Sequence, residues 1–295
     1  MTPPEPGTLS PGTTSTWEDD APAGGSASGG SASGERLEAA RRLAEDGDLG
    51  GAAEILAGLV ADDTGPDRAQ AAVGLAVVLE ERGDVEAARA AARTALATGH
   101  PEFAAQAACH LARGFEREGR VDQARAAWQA AVGSGNAAYV PHAHLALARL
   151  ASGRGEGGEA ELSLRAAIAT GDAEVGSLAA QRLAELMLEE GRAEEAAEVL
   201  FAALSSPEAA ETHRLRVLLG IVHLELACAE FTAAVEETDE ADTAATALAI
   251  ELLARTLPLR GRDEDAMHVW NYGLGHQDEE LAHEVALRRD RGVEL

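Results

Sequence analysis

Gly153-Arg154-Gly155-Glu156-Gly157-Gly158 spells GxGxxG. That loop cradles a dinucleotide pyrophosphate when it follows a strand and opens a helix in a βαβ unit. Here it follows a helical run, and Gly155 belongs to a series of turn glycines, so it reads as a turn. The nine histidines do not converge on a metal site. His142 and His144 are two apart on a helix, about 200° round its axis, and cannot chelate one ion together. His276 and Glu280 are four apart but lack a third ligand. Cys109-His110 point in different directions, and His283-Glu284 lacks the second His of HExxH. The chain has no lysine; all 24 basic residues are arginine. A Walker-type phosphate lysine, a Schiff-base lysine and a kinase-type lysine are therefore excluded. No catalytic, cofactor or metal residue is expected, and the chain is read as a non-enzyme.

The charge balance narrows the partners. Fifty-one acidic residues against 24 arginines give a net charge of -27, which repels phosphate backbones and favours basic partners. Between Arg216 and Arg255 there is no Arg or Lys. Glu236, Glu237, Asp239, Glu240 and Asp242 crowd into seven residues. This run is read as a solvated acidic loop, with a contact patch for a basic partner as the alternative.

The elements that must position these residues are written as a repeat. Gly47, Gly83, Gly119, Gly155 and Gly191 stand 36 residues apart, and Gly99, Gly135 and Gly171 form a second series with the same step. Two turn marks per period mean two helices per unit. With Ala69 as position 1, helix A covers positions 1–14, a glycine turn sits at 15, and helix B covers about 17–30. Position 8 is Ala76, Ala112, Ala148 and Ala184; position 20 is Ala88, Ala124, Ala160 and Ala196. These small residues mark the crossing of the two helices. Only 3% of residues are aromatic, so the core is built from Ala, Leu and Val.

This pattern resembles the tetratricopeptide repeat, with a large residue at 7, small at 8, Gly at 15 and Ala at 20 and 27. The 36-residue step, fullest in TGHPEFAAQAACHLARGFEREGRVDQARAAWQAA, looks like an actinobacterial variant. The resemblance implies an all-α, right-handed α-solenoid of about seven helix-turn-helix repeats over residues 35–276. In unit six Ala227-Cys228 stand where the turn glycine belongs. Unit seven recovers the register at Gly261, and Trp128 and Trp270 share position 24 as packing residues.

The family lines its concave groove with helix A positions 2, 5, 9, 12 and 13. Carried onto this chain, these gather Arg113, Arg117 and Arg149 in units three and four, beside Gln106 and His142. Arginine forks hold carboxylates bidentately, which suits an acidic peptide; the competing reading pairs them with Glu80, Glu116 and other local acids. The implied function is a scaffold that binds a peptide or protein, with a regulatory subunit or adaptor as the alternative.

Residues 1–34 are rich in Pro, Gly, Ser and Thr and are expected to be a disordered tail, with Trp17-Glu18-Asp19-Asp20 as a possible docking motif. Residues 277–295 are expected to hold an amphipathic capping helix, with Leu281 and Val285 on one side. MTPPEPGTLS is not a signal peptide, and no stretch of about 18 uncharged apolar residues stands out. Two cysteines form no disulfide framework, so the expected address is the cytoplasm.

Overall fold

The computed structural model describes residues 32–62, 66–237 and 242–291. Among these, the regular structure is entirely helical. Unit one is α1 (Ala32–Glu45) and α2 (Leu49–Asp62); unit two is α3 (Pro66–Glu81) and α4 (Val85–Ala97). Units three to five follow as α5 (Pro101–Arg117) and α6 (Val121–Gly133), α7 (Val140–Ser152) and α8 (Gly157–Ala169), and α9 (Ala173–Glu189) and α10 (Ala193–Ser205). Then come α11 (Thr212–Glu236), α12 (Thr243–Thr256) with a 3-10 turn (Leu257–Arg260), α13 (Asp263–Leu274) and α14 (Glu279–Asp290). The main contacts of each helix are with helices one or two places along the chain, as in a stacked array.

The turn glycines do what their spacing requires. Gly83, Gly119, Gly155 and Gly191 take φ between 71° and 84°, a left-handed conformation that costs a side chain strain. Each lets the next amide reach back over the helix end: Asp84 N bonds Leu79 O at 2.8 Å, and Arg120 N bonds Phe115 O at 2.9 Å. This satisfies carbonyls that a helix end leaves open. The chain then reverses and helix B folds onto helix A. Ala112 and Ala124, at positions 8 and 20, lie in one core with no exposed surface. Trp128 is buried in the same core, and its indole N–H donates to Glu116 at 2.7 Å.

Unit six departs from this plan. With Ala227 in place of glycine, nothing stops the helix, and α11 runs unbroken for 25 residues through the expected turn. Helices A and B of that unit are one rod. Its first half packs through Leu215, Leu219 and Val222 on the core of unit five. Its second half packs through Cys228 and Phe231 on Leu253 and Leu257. Among the described residues the array is thus six helix pairs, one fused helix and the cap α14. Asp278 caps α14 by accepting from the amides of Glu280 and Leu281, and Leu281 and Val285 bury its inner side. A Cβ on Gly273 would lie 2.9 Å from Val285, so the cap sits directly on that backbone.

At the other end, α1 begins at Ala32, three residues inside the stretch read as tail. The remainder of the expected disordered tail, with Trp17, lies outside the described residues.

Gly119→Ala should destabilise the fold by about 1 kcal/mol because its φ is positive. Ala227→Gly should cost a similar amount, about 1 kcal/mol, for the opposite reason, since it places glycine in a helix interior. Urea denaturation of each variant reads both values. An Ala227→Gly variant more stable than the parent would mean that unit six prefers a turn.

Candidate partner-binding surface

Helices α5 and α7 carry the arginines singled out by the repeat register. Arg113, Arg117, His142 and Arg149 are exposed and Gln106 is half-buried. The three arginines do not form a bare positive patch. Arg117 donates to Glu80 of α3, and Arg149 donates to Glu116 of α5 at 2.6 Å. Both pairs bridge successive units. Arg113, one helical turn before Arg117 on α5, has no carboxylate partner among the described residues.

Glu80 is also bonded by His110, Nε2 to Oε2 at 2.8 Å. Burial pushes the His110 pKa below its ordinary 6.5, and the cations of Arg117 and Arg113 push the same way against Glu80. At neutral pH the imidazole is uncharged and donates its N–H to the carboxylate. These groups border a cleft of about 150 Å³ that also touches Arg89, Gly114 and Glu118. Arg89 is nearly buried, donates to Glu118 and Glu86, and lies 5.1 Å from the Phe115 ring centre. The Arg89 and Arg120 partners hold the Glu118 carboxyl below its ordinary range.

These pairs belong to a longer series that the sequence reading did not find. Arg125 of unit three donates to Glu156 in the turn of unit four. At the next seam the signs exchange, and Glu161 of unit four accepts from Arg192 in the turn of unit five at 2.8 Å. Arg260 to Glu225 at 3.0 Å and Arg288 to Glu251 at 3.2 Å continue the series towards the cap. The signal was legible: position 21 reads Arg89, Arg125, Glu161, and the facing turn residue opposes it in sign at the last two seams.

The other chemistry-bearing candidates resolve into structure. Gly155 turns the chain after α7, and the shallow depression beside Gly157 and Gly158 is rimmed by Glu156, Glu159 and Glu161, which would repel phosphate. The amide of Asp278 donates to His276 Nδ1 at 3.2 Å. No group of three or more metal-ligating side chains occurs among the described residues. Within the acidic run, Asp242 caps α12 by accepting from Ala245 N at 3.0 Å, while Glu236 and Glu237 are exposed at the end of α11. Asp239 and Glu240 lie outside the described residues.

The sequence reading found no membrane-length stretch, yet α11 is long and apolar enough to cross a membrane by length and composition. It carries Glu225 and Glu230, and Glu225 is committed to Arg260.

Residues 133–255 match the family model of the tetratricopeptide repeat-like domain. This segment is a tetratricopeptide repeat-like domain. Its helix pair and glycine turn recur outside the match, in units one to three and in α12 with α13. Protein–protein interaction is the general role of a tetratricopeptide repeat-like fold. No curated protein matches the chain. Among solved structures it is similar to a tetratricopeptide repeat protein from Parabacteroides merdae, 16% identical, covering 88% of this chain and 100% of that one, TM-score 0.44. It is similar to BtubC from P. vanneervenii at 16% identity, 89% and 94% coverage and TM-score 0.43. A thermophilic TPR protein of Thermus thermophilus is 24% identical over 65% of this chain and 100% of its own, TM-score 0.33.

The seam pairs make stability depend on acid pH. Arg192 and Arg165 hold the Glu161 carboxyl at about 2, below its ordinary 4.5. A lowered folded-state value stabilises above the unfolded value, and that contribution is lost as pH falls from 4.5 to about 2. Glu161→Gln should lower the melting temperature at pH 7 and flatten its decline across that window. Thermal scans from pH 7 to 2 check this; parallel curves for variant and parent would remove Glu161 from the acid response.

Proposed function

We propose that the chain is a non-catalytic scaffold that holds an acidic peptide or protein segment on the helix A surface of units three and four. The single observation that supports this reading is Arg113. It is exposed and has no carboxylate partner among the described residues, whereas Arg117 and Arg149 are already engaged. In a chain of net charge -27, an unengaged guanidinium at a helix surface is a local exception to the prevailing field. A ligand carboxylate would take both forks of Arg113, with Gln106 and His142 as further hydrogen-bond partners. Arg117 and Arg149 could join only by exchanging Glu80 and Glu116 for the ligand. Recognition of this kind is short-ranged, because the acidic surface opposes approach over longer distances. Cys109 and Cys228 are buried and form no disulfide among the described residues, which fits residence in the cytoplasm.

Charge reversal separates the roles. Arg113→Glu should leave the melting temperature nearly unchanged and weaken capture of acidic peptides from an immobilised peptide array by about tenfold or more. Arg42→Glu, exposed in α1, is the control and should change little. Arg117→Glu and Arg149→Glu should lower the melting temperature, because each sets glutamate against glutamate across a seam. Retention of full peptide binding by Arg113→Glu would sink the reading.

A further inference from the structure

Unit six leaves one helix face without the helix that covers it elsewhere. In units two to five, positions 4, 8 and 11 of helix A form a stripe on the inner side of the pair. At position 8, Ala76, Ala112, Ala148 and Ala184 are at most 3% exposed. In α11 the same stripe is Arg216, Gly220 and His223, and all three are exposed. Val217 beside it is 66% exposed, where units two and three bury Val73 and Cys109. The missing turn is the cause. Helix B cannot fold back, and Thr232 at position 20 sits exposed about three turns further along the same rod.

The uncovered face has a definite chemistry. Arg216 has no acidic partner among the described residues. Its neighbours His213 and Arg214 share one carboxylate, Glu211, at 3.8 and 3.4 Å. Phe201 of α10, 52% exposed, borders the stripe with its ring centre 5.9 Å from that of His223. A Cβ on Gly220 would meet nothing within 4 Å, so the middle of the stripe is open to a close-packed backbone. The face therefore offers apolar edges, a small centre and positive charge.

We propose that this stripe of α11 is the docking site for an acidic amphipathic helix of a partner protein, which takes the place of the missing helix B. A small side chain on that helix would lie over Gly220, apolar residues against Val217 and Phe201, and a carboxylate on Arg216. Charge complementarity selects this occupant. A second copy of the chain would bring the same positive stripe and another net charge of -27. The site shares no residue with the Arg113 surface, so either can fail alone.

The test uses the full chain and a helix-stapled, fluorescein-labelled peptide of the α10 sequence, AEEAAEVLFAALS, a helix B of this array that carries three glutamates. Fluorescence anisotropy should show saturable binding absent from a scrambled peptide. Gly220→Trp, which fills the centre, should abolish it, and Arg216→Glu should weaken it by about tenfold. Arg113→Glu should leave it unchanged. Circular dichroism and melting temperature should match the parent in all three variants. Absence of saturable binding, or equal binding by Gly220→Trp, overturns the proposal. So does a dimer in sedimentation that Gly220→Trp dissolves, which gives the face to a second copy. Tighter peptide binding after removal of residues 1–31 also overturns it, and gives the face to the chain's own N-terminal segment.

Discussion

Two backbones brought close enough for alanine to fill the space between them set the terms for the rest of this solenoid. At positions 8 and 20 only methyl side chains fill the core between helix A and helix B, as with the fully buried Ala112 and Ala124. That approach exists only where the chain can reverse within a few residues, and a left-handed glycine is the cheapest way to do so. The same constraint explains the sparse aromatic content, because large rings would hold the helices apart. Where a ring does enter, as at Trp128, it is buried in the same core and keeps its N–H bonded to Glu116.

Most of the fold was legible because its signals are periodic and local. Turn glycines, small crossing residues and the Leu219-type positions recur in one register, so each unit corroborates the next. The fused α11 was half legible. The absent glycine was visible at Ala227, but whether a chain without that residue turns by other means or continues depends on what each half packs against. The start of α1 was less legible for a simpler reason: Ala32, Ser33 and Gly34 have tail-like composition, yet they form the first turn of the helix whose Leu37 and Ala40 pack in the unit-one core.

The candidate surface was legible as a list of residues and not as an electrostatic arrangement. Helical register puts Arg113 and Arg149 at position 9 and Arg117 at position 13, and Glu80 and Glu116 are legible as local acids, but the register does not say which arginine each acid takes. Those partners decide which cation is unengaged. Arginine alone serves here, and its planar fork suits bridging: Arg192 reaches Glu161, Glu190 and Glu195 at once. The large acidic excess is thereby knitted into the seams as well as spread over the surface.

The exchange of sign between seams has a consequence for how near-identical units find their order. Units three, four and five share their alanines, leucines and turns, so the apolar core alone would accept one unit in another's place. Stacking unit three directly on unit five would set Arg125 against the turn arginine Arg192, in place of Glu156. Omitting a unit during folding, or exchanging one with a neighbouring chain, thus meets like charge at a half-buried seam. This single exchange of sign distinguishes units that hydrophobic packing treats as equivalent.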